Sequence, residues 1–529
     1  MTERRLAPDG SASAVATDAV VAPAPPPSAS AGPSGGPERP SGGRLRAAIG
    51  WSYVLTGGRI GSSILVTFLL ARLLGPSEFG LVAMATVFIT VAQTLIQQGL
   101  VSAIVQRDRL TPEHLDGAFV VLVLAGLGIG LLTAAASPLW AWVNRAPELT
   151  VVCVALSPLV LLQGLSIVPE AVLRRELRFR AVAIRTLLAS LLSGAVGVVL
   201  ALFGAGIWAL VAQQLVNAAV GLVVLWAVCP WRPSRRPRLS GSRDLLVFSA
   251  HSANAGLGLM LSSKADVIFT GLFFGPVATG IYRLAARLPD MLVDVTVRSL
   301  QQVALPSLSR LQHDRAALAR HLNQLQHLGA LAGLPVLGVL AATAHPLVTL
   351  LGPQWAGTET PLRLLCLFGA VNVYGVLLGP ALQAMGQPGR LAAILWTRGV
   401  LGVATLAAVG ALFTGRSDVA EATAVALAGI GMQVVVTGLS VWVTVRRTAA
   451  ASITAFLAPT VPAVLAALVA ALVPWPLDRL PLDPGPVPDL LLLGGSAGLV
   501  AGGLLWATDA RLRRLVRARF PRRRVAATG

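Results

Sequence analysis

Apolar segments separated by short polar loops repeat along almost the whole chain. Counting them gives about 14 segments, each of roughly 20 residues, between residues 48 and 508. A helix needs about 20 residues to cross the hydrocarbon core of a bilayer. The pattern therefore predicts an all-α polytopic membrane protein with about 14 transmembrane helices. The predicted spans are 48–72, 80–104, 117–137, 150–170, 181–203, 206–228, 247–272, 279–305, 327–351, 361–384, 391–413, 420–444, 455–473 and 488–508.

Composition supports this interpretation. The 529 residues are 55% hydrophobic and only 12% charged, whereas charged residues make up about a quarter of a typical soluble domain. Basic residues outnumber acidic residues by 42 to 23, but they are scattered through short loops and form no basic patch on a soluble domain. This distribution argues against a nucleic-acid partner and for the charge asymmetry that orients membrane helices.

The loop arginines fall mainly on one side of the predicted membrane. Seventeen lie in one set of alternating loops and four lie in the other set. Because cytoplasmic loops carry the excess of positive charge, the first set is assigned to the cytoplasm, together with both termini. The expected location is the cell membrane, that is, the inner or plasma membrane.

A short motif occurs twice, 200 residues apart: residues 73–80 read LLGPSEFG, and residues 273–280 read FFGPVATG. Two glycines and one proline occupy the same positions in both copies, and these residue types suit a tight turn. Each copy joins the first span of a six-span block to the second, on the outer side. An offset of six spans preserves the direction across the membrane. The halves are therefore predicted to be parallel repeats about an axis along the membrane normal.

The eighth predicted span carries an unusual number of charges. Residues 282–298, YRLAARLPDMLVDVTVR, contain three arginines and two aspartates. Read at 100° per residue, these charges fall on one stripe about 80° wide. The remaining faces can meet lipid or neighbouring helices. They contain Leu284, Leu288, Met291, Leu292 and Val295.

Charges at bilayer depth usually face a bundle interior or a water-filled cavity. The stripe has an excess of positive charge, and basic residues in other spans add to it, so the sequence predicts a cationic cavity suited to an anionic head group. The candidate substrate-binding residues are Arg59, Lys264, Arg283, Arg287, Arg298 and Arg398. The candidates for proton or sodium coupling are Asp266, Asp290 and Asp294.

A second interpretation of the stripe stays open at this point. Arg287 with Asp290, and Asp294 with Arg298, have the spacing of intrahelical ion pairs that would only stabilise the bundle.

The sequence contains no pattern typical of an enzyme or a metal site. A P-loop, an HExxH motif and a nucleophile elbow are all absent. Cys153, Cys229 and Cys366 are far apart and lack the spacing of a zinc site or a disulfide framework. We therefore expect a transporter with no catalytic residue, no metal and no resident cofactor, and with protons or sodium ions as the candidate coupling ions.

Four segments carry a family resemblance. They read LLGPSEFGLVAMATVF at 73–88, GLVSAIVQR at 99–107, LRRELRFR at 173–180 and GAGIWALV at 204–211. The chain resembles the oligosaccharide-lipid flippases of the polysaccharide transport family, of the Wzx type and in particular its colanic-acid-exporter-like members. That family belongs to the multidrug/oligosaccharidyl-lipid/polysaccharide exporter superfamily. The similarity covers about residues 45–445 and leaves out both tails.

The resemblance implies two six-helix lobes around a central cavity, followed by two further helices. The implied substrate is an oligosaccharide repeat unit on a polyprenyl diphosphate, moved by alternating access from the cytoplasmic to the outer leaflet for exopolysaccharide biosynthesis. Related flippases use cationic cavity residues on their first and eighth helices, where this chain has Arg59 and Arg287. The implied partners are membrane lipids, a polysaccharide polymerase and glycosyltransferases.

The expected domain organisation combines the spans with this resemblance. It comprises a disordered Ala/Pro/Ser/Gly-rich cytoplasmic tail at 1–43, an N-terminal lobe at 44–246, a C-terminal lobe at 247–447, two additional helices at 448–508 and an arginine-rich cytoplasmic tail at 509–529.

Three other functions are weighed against this one. A drug or cation antiporter of the same superfamily would have an anionic cavity with fewer interior arginines. A membrane glycosyl polymerase or ligase would have a large outer loop with catalytic carboxylates or histidines, whereas the longest outer loops here are about 138–149 and 474–487. A scaffold that recruits partners through its tails would tolerate the loss of every cavity arginine.

Overall fold

The described part of the chain is built from helices. The computed structural model describes residues 61–97, 112–176, 178–234, 243–449, 451–474 and 485–519, and no β-strand occurs among them. The predicted N-terminal tail and Arg59 lie outside these residues. The long apolar segments form helices because a helix satisfies its own backbone hydrogen bonds, which lipid cannot do.

The helices of residues 61–234, the first half, include several that begin at a proline. Proline suits the first turn because its missing N–H would have no intrahelical partner there. The helices are α1 (Gly61–Leu73), α2 (Pro76–Gln97), α3 (Pro112–Val143), α4 (Leu149–Leu156), α5 (Pro158–Arg175), α6 (Phe179–Leu202) and α7 (Ile207–Val228).

The second half, residues 243–449, contains eight further helices and two π-helical turns, Asp294–Arg298 and Trp442–Thr448, among its described elements. The helices are α8 (Arg243–Val293), α9 (Ser299–Ser309), α10 (Arg315–Ala342), α11 (Ala344–Leu351), α12 (Glu359–Gly375), α13 (Leu378–Ala384), α14 (Pro388–Phe413) and α15 (Asp418–Val441). Four more helices follow. They are α16 (Ile453–Leu457), α17 (Val461–Leu472), α18 (Pro486–Thr508) and α19 (Ala510–Arg519).

Twelve helical segments of the described residues are long and apolar enough to cross a membrane. The predicted all-helical, multi-pass architecture is therefore confirmed. The first predicted span is described only from residue 61, as α1, and the seventh and eighth join in α8. The count of about 14 thus stays a prediction, as do the domain boundaries.

Helix α8 is two helices in succession, divided at Gly275. This residue has φ 82° and ψ −168°, a conformation that side chains with a Cβ rarely adopt, so glycine is required there. The predicted outer turn between the seventh and eighth spans is thus reduced to one residue. The first segment of α8 is residues 243–274, and the second is residues 276–293.

The two copies of the repeated motif meet at the start of α2 and just after the bend of α8. A Cβ atom on Gly80 would overlap the carbonyl oxygen of Pro276, and a Cβ atom on Gly280 would overlap that of Pro76. We call this contact the glycine crossing. Such a reciprocal contact is what a local two-fold axis between the copies produces. The direction of that axis relative to the membrane stays a prediction.

A second connection between the halves lies beside the glycine crossing. The buried indole of Trp355 donates a hydrogen bond to the carbonyl oxygen of Ala71 (2.6 Å). The same ring packs edge-on against Phe79, with 5.5 Å between the ring centroids. Gln354 donates a further hydrogen bond to the carbonyl oxygen of Arg72 (3.1 Å). These contacts hold the two halves together at this end of the bundle.

Buried apolar residues divide along the sequence. One cluster contains only buried residues between positions 70 and 229. The other clusters contain Ala71 and residues from position 265 onward. Each half of the chain therefore packs mainly around its own core, with Ala71 joining the second core near the glycine crossing.

Helices α17 and α18 pack against α10 through small residues. A Cβ atom on Gly338 would overlap the backbone of Ala467, so these helices approach closely. At the far end of α18, the carboxylate of Asp509 lies 3.0 Å from His327 Nε2, and both side chains are buried. The other ring nitrogen of His327 lies 2.7 Å from the carbonyl oxygen of Pro459. The two additional helices are thus attached to the second half.

The glycine crossing generates a stability prediction. Gly80→Ala places a methyl group against backbone atoms that cannot rotate away, so we expect destabilisation of about 1–3 kcal/mol, in the range for overpacked sites. Thermal unfolding of the detergent-purified protein measures the effect. Gly128→Ala is the matched control, because its Cβ would meet no atom within 4 Å. Equal melting temperatures for the two variants would contradict the close contact.

Candidate functional site

A cavity of about 870 Å³ lies between α8, α9, α12, α13, α14 and α15. We call it the main cavity. Its lining combines apolar side chains with eight charged ones, five basic and three acidic, which leaves two net positive charges. In a helical bundle made for lipid, this many charges can only be kept where water or a polar ligand reaches them.

The main cavity brings together every predicted site residue that the structure describes. Arg59 lies outside the described residues, and its role stays a prediction. The residues that line the cavity are Lys264, Asp266, Arg283, Arg287, Asp290, Asp294, Arg298 and Arg398. Their roles in binding and coupling stay predictions. The structure does show that they converge in one cavity, as the charged stripe in the sequence indicated.

The end of α8 presents the stripe. Arg283, Arg287 and Asp290 recur at spacings of four and three residues, and the helix then widens into the π-helical turn Asp294–Arg298. All the charges of the stripe line the main cavity despite this change of helix type. One expectation needs correction: Met291, predicted on a face for lipid or neighbouring helices, also lines the cavity.

The two predicted ion pairs behave differently. Asp294 and Arg298 form one, with 2.8 Å between Oδ1 and Nε, although each side chain is about half exposed (53% and 54%). Arg287 and Asp290 form no ion pair within 4 Å in the part of the chain that the structure describes. The interpretation of the stripe as mere intrahelical pairing therefore holds for only one of its two pairs. The guanidinium group of Arg287 remains open to the cavity.

A second group of polar side chains in the main cavity lies on the two segments of α8 and on α14. The Tyr282 hydroxyl donates a hydrogen bond to Asp266 Oδ2 (3.0 Å). The other carboxylate oxygen of Asp266 is buried without a hydrogen-bond partner among the described residues, and so is Nε of Arg398. These two groups carry opposite charges and line the same cavity. Sequence analysis identified both of them but missed Tyr282, whose hydroxyl is the observed partner.

Sequence analysis also missed a neutral polar group on α12 and α15. Gln433 donates from Nε2 to Asn372 Oδ1 (3.2 Å) and to Thr437 Oγ1 (3.1 Å). All three residues line the main cavity. They carry no charge, so a search for charge at bilayer depth passed over them. The available signal was the presence of amides and a hydroxyl inside apolar spans, where such groups require a partner.

Comparison with known proteins shows which family the chain belongs to. The family described as "Polysaccharide biosynthesis protein" matches residues 69–359, more than half of the chain. The chain belongs to this family. Its predicted resemblance to the oligosaccharide-lipid flippases of the polysaccharide transport family is thereby confirmed.

Relatives that are named for the biosynthesis of polysaccharides match much of the chain. The succinoglycan biosynthesis transport protein ExoT of Rhizobium meliloti (strain 1021) is 28% identical over 90% of this chain and 96% of its own length. The teichuronic acid biosynthesis protein TuaB of Bacillus subtilis (strain 168) is 25% identical over 61% of this chain and 67% of its own. The lipopolysaccharide biosynthesis protein WzxC of Escherichia coli (strain K12) is 24% identical over 64% and 69%.

Solved structures share the fold. The lipid II flippase MurJ in an inward closed conformation superposes with a TM-score of 0.65 at 13% identity, covering 88% of this chain and all of MurJ. A multidrug resistance MATE family transporter in an inward-facing conformation gives 0.54 at 15% identity, covering 71% of this chain and 93% of its own. Together with family membership, this fold identifies the chain as a membrane transport protein of polysaccharide biosynthesis and not an enzyme.

Proposed function

We propose that the protein is a flippase that moves polyprenyl-diphosphate-linked oligosaccharide repeat units from the cytoplasmic to the outer leaflet of the cell membrane. The observation that carries this proposal is the main cavity, in which five basic and three acidic side chains converge. The names of three relatives refer to succinoglycan, teichuronic acid and lipopolysaccharide, which supports a polysaccharide precursor as the cargo. In this scheme glycosyltransferases build the unit and a polymerase uses it.

The diphosphate is the part of the substrate that needs the basic side chains. It brings at least two negative charges into a region where lipid offers no hydration. Guanidinium groups can replace that hydration with charge-assisted hydrogen bonds, often two from one side chain. Arg283 and Arg287 suit this role because neither forms an ion pair within 4 Å among the described residues.

Alternating access then requires one end of the bundle to open while the other closes. The glycine crossing and the contacts of Trp355 hold the halves together at one end. The lining of the main cavity extends away from that end, to Gln301 and Ser440. Release to the other leaflet would therefore separate Trp355 from Ala71, while the halves pivot around the cavity.

The cavity chemistry favours an anionic cargo over the cationic drug of an antiporter. Its net charge of two positive units repels a cation. The similarity to a multidrug transporter concerns the fold alone, and one fold can serve unrelated substrates.

Arg287→Ala should reduce transport at least tenfold, because it removes a charged, bidentate donor from the diphosphate. The transport rate of Arg287→Lys should lie between those of the wild type and of Arg287→Ala, since lysine keeps the charge but lacks the planar guanidinium group. The measurement is flipping of a fluorescent polyprenyl-diphosphate oligosaccharide in proteoliposomes that contain equal amounts of each variant.

Arg310→Ala is the matched control for this experiment. Arg310 is exposed at the end of α9 and does not line the main cavity, so its loss should change transport little. The double variant Arg287→Ala with Asp290→Ala separates binding from pairing. Full recovery of transport in the double variant would show that Arg287 only neutralises Asp290, and the diphosphate site would lie elsewhere.

We also propose that both termini are cytoplasmic and that the glycine crossing lies on the outer side. The distribution of loop arginines, 17 against four, motivates this orientation. Reporter fusions after residues 145 and 416 should therefore report an outer location, and fusions after residues 310 and 529 a cytoplasmic one. The reverse pattern at two of these sites would refute the topology.

Coupling to protons or sodium ions is proposed at Asp266. Its Oδ1 atom is buried without a hydrogen-bond partner among the described residues, so a proton or a sodium ion would satisfy it. Asp266→Asn should then abolish the dependence of flipping on an imposed pH or sodium gradient. Asp294→Asn is the control, because Asp294 is half exposed and already paired with Arg298. A wild-type flipping rate that is the same with and without a pH or sodium gradient would rule out this coupling.

A further inference from the structure

A second cavity, of about 400 Å³, lies between α1, α2, α6, α7 and both segments of α8. We call it the N-half pocket. Its volume is in the range of small-molecule sites, which span about 300–1,000 Å³. Sequence analysis did not predict this pocket, because none of the residues that line it from the first half is charged.

The chemistry of the N-half pocket is neutral and rich in hydrogen-bonding groups. Nine of its lining side chains are serine, threonine, asparagine or glutamine, and the rest of the first-half lining is apolar. Hydroxyl and amide groups both donate and accept hydrogen bonds. This mixture matches a polyhydroxyl ligand, whose own groups also do both. A lipid tail would leave these polar groups unsatisfied, and a cation would find no carboxylate in the lining.

Some of these groups are held in place by the protein, and others are open. The Gln214 amide donates from Nε2 to the Thr86 hydroxyl (3.1 Å). Asn217 Nδ2 donates to the Ser193 hydroxyl (3.2 Å). The Gln213 amide also lines the pocket and makes no hydrogen bond among the described residues. It is therefore available to a ligand without the loss of a protein contact.

Three basic side chains connect the N-half pocket to the main cavity. Lys264, Arg283 and Arg287 line both spaces. A diphosphate bound to these side chains would stand at the border between the spaces. The group attached to it could then enter the neutral pocket without moving the phosphates.

We propose that the N-half pocket binds the sugar that is attached directly to the diphosphate, and that it selects an uncharged sugar. This inference rests on the proposed function, because it places the diphosphate at the shared basic side chains. The amides and hydroxyls of the first half then recognise the sugar, while the second half binds the charge.

Binding of two synthetic probes to the detergent-purified full-length protein tests the inference. One probe is a short-chain polyprenyl diphosphate, and the other carries in addition one neutral sugar, with glucose, galactose and N-acetylglucosamine in separate arms. The wild type should bind at least one of the sugar-bearing probes about three- to tenfold more tightly than the bare probe, the range for a net hydrogen bond. Gln213→Met, which keeps the size of the side chain, should remove this difference and leave the affinity for the bare probe unchanged.

Gln383→Met is the matched control, because Gln383 lines the main cavity and not the N-half pocket. It should retain the preference for the sugar. Equal wild-type affinity for the bare probe and all three sugar-bearing probes would overturn the sugar site and leave the diphosphate site standing. A preference that Gln213→Met retains, or that Gln383→Met loses to the same extent, would also overturn it. Failure of the wild type to bind any probe would overturn the proposed function itself.

Discussion

The free-energy cost of charge at bilayer depth constrains this whole structure. One unpaired charged side chain at the centre of a membrane helix costs at least about 2.5–3.5 kcal/mol, and the main cavity is lined by eight charged side chains. The half-exposed pair Asp294–Arg298 shows how the cost is reduced, since each group keeps access to the cavity while it contacts the other. The fold is therefore organised around a polar space that such side chains can share.

The two halves share the backbone contact at the glycine crossing, but the side chains with which they line the cavities differ in chemistry. The glycine crossing requires the same small residues in both copies, because each glycine admits the backbone of the other copy. The lining residues obey no such requirement. The first half contributes only neutral side chains to the N-half pocket, whereas the second half contributes all eight charged side chains of the main cavity beside neutral ones such as Gln433. A symmetric backbone contact between the halves is thus combined with linings of different chemistry, as the proposed substrate, with a charged end and an uncharged end, would require.

Sequence analysis predicted the elements whose signal is local. The predicted span 206–228 corresponds to α7. The charged residues of the stripe were correctly predicted to share one cavity, because helical periodicity fixes which residues lie on the same face. It did not predict the π-helical turn or the joining of two spans at Gly275, since small changes of backbone geometry leave hydropathy unchanged. The contact of Trp355 with Ala71 joins residues 284 positions apart. Such contacts follow from tertiary packing, which no single-sequence pattern contains.

The three aspartates of the main cavity have a physical consequence for transport. A transporter must bind its cargo strongly enough to load it and weakly enough to release it, as a channel must for its ion. Five basic side chains with no acid beside them would hold a diphosphate tightly on both sides of the membrane. The acidic residues lower the net charge of the cavity to two positive units. One acidic residue, Asp294, is paired with Arg298 at the π-helical turn and so weakens the attraction of Arg298 for an anion. Arg283 and Arg287, which lie next to the N-half pocket, remain without such a pair among the described residues. In the proposed function, the strongest attraction for the diphosphate would therefore lie at the border of the two spaces, where the attached sugar would have room.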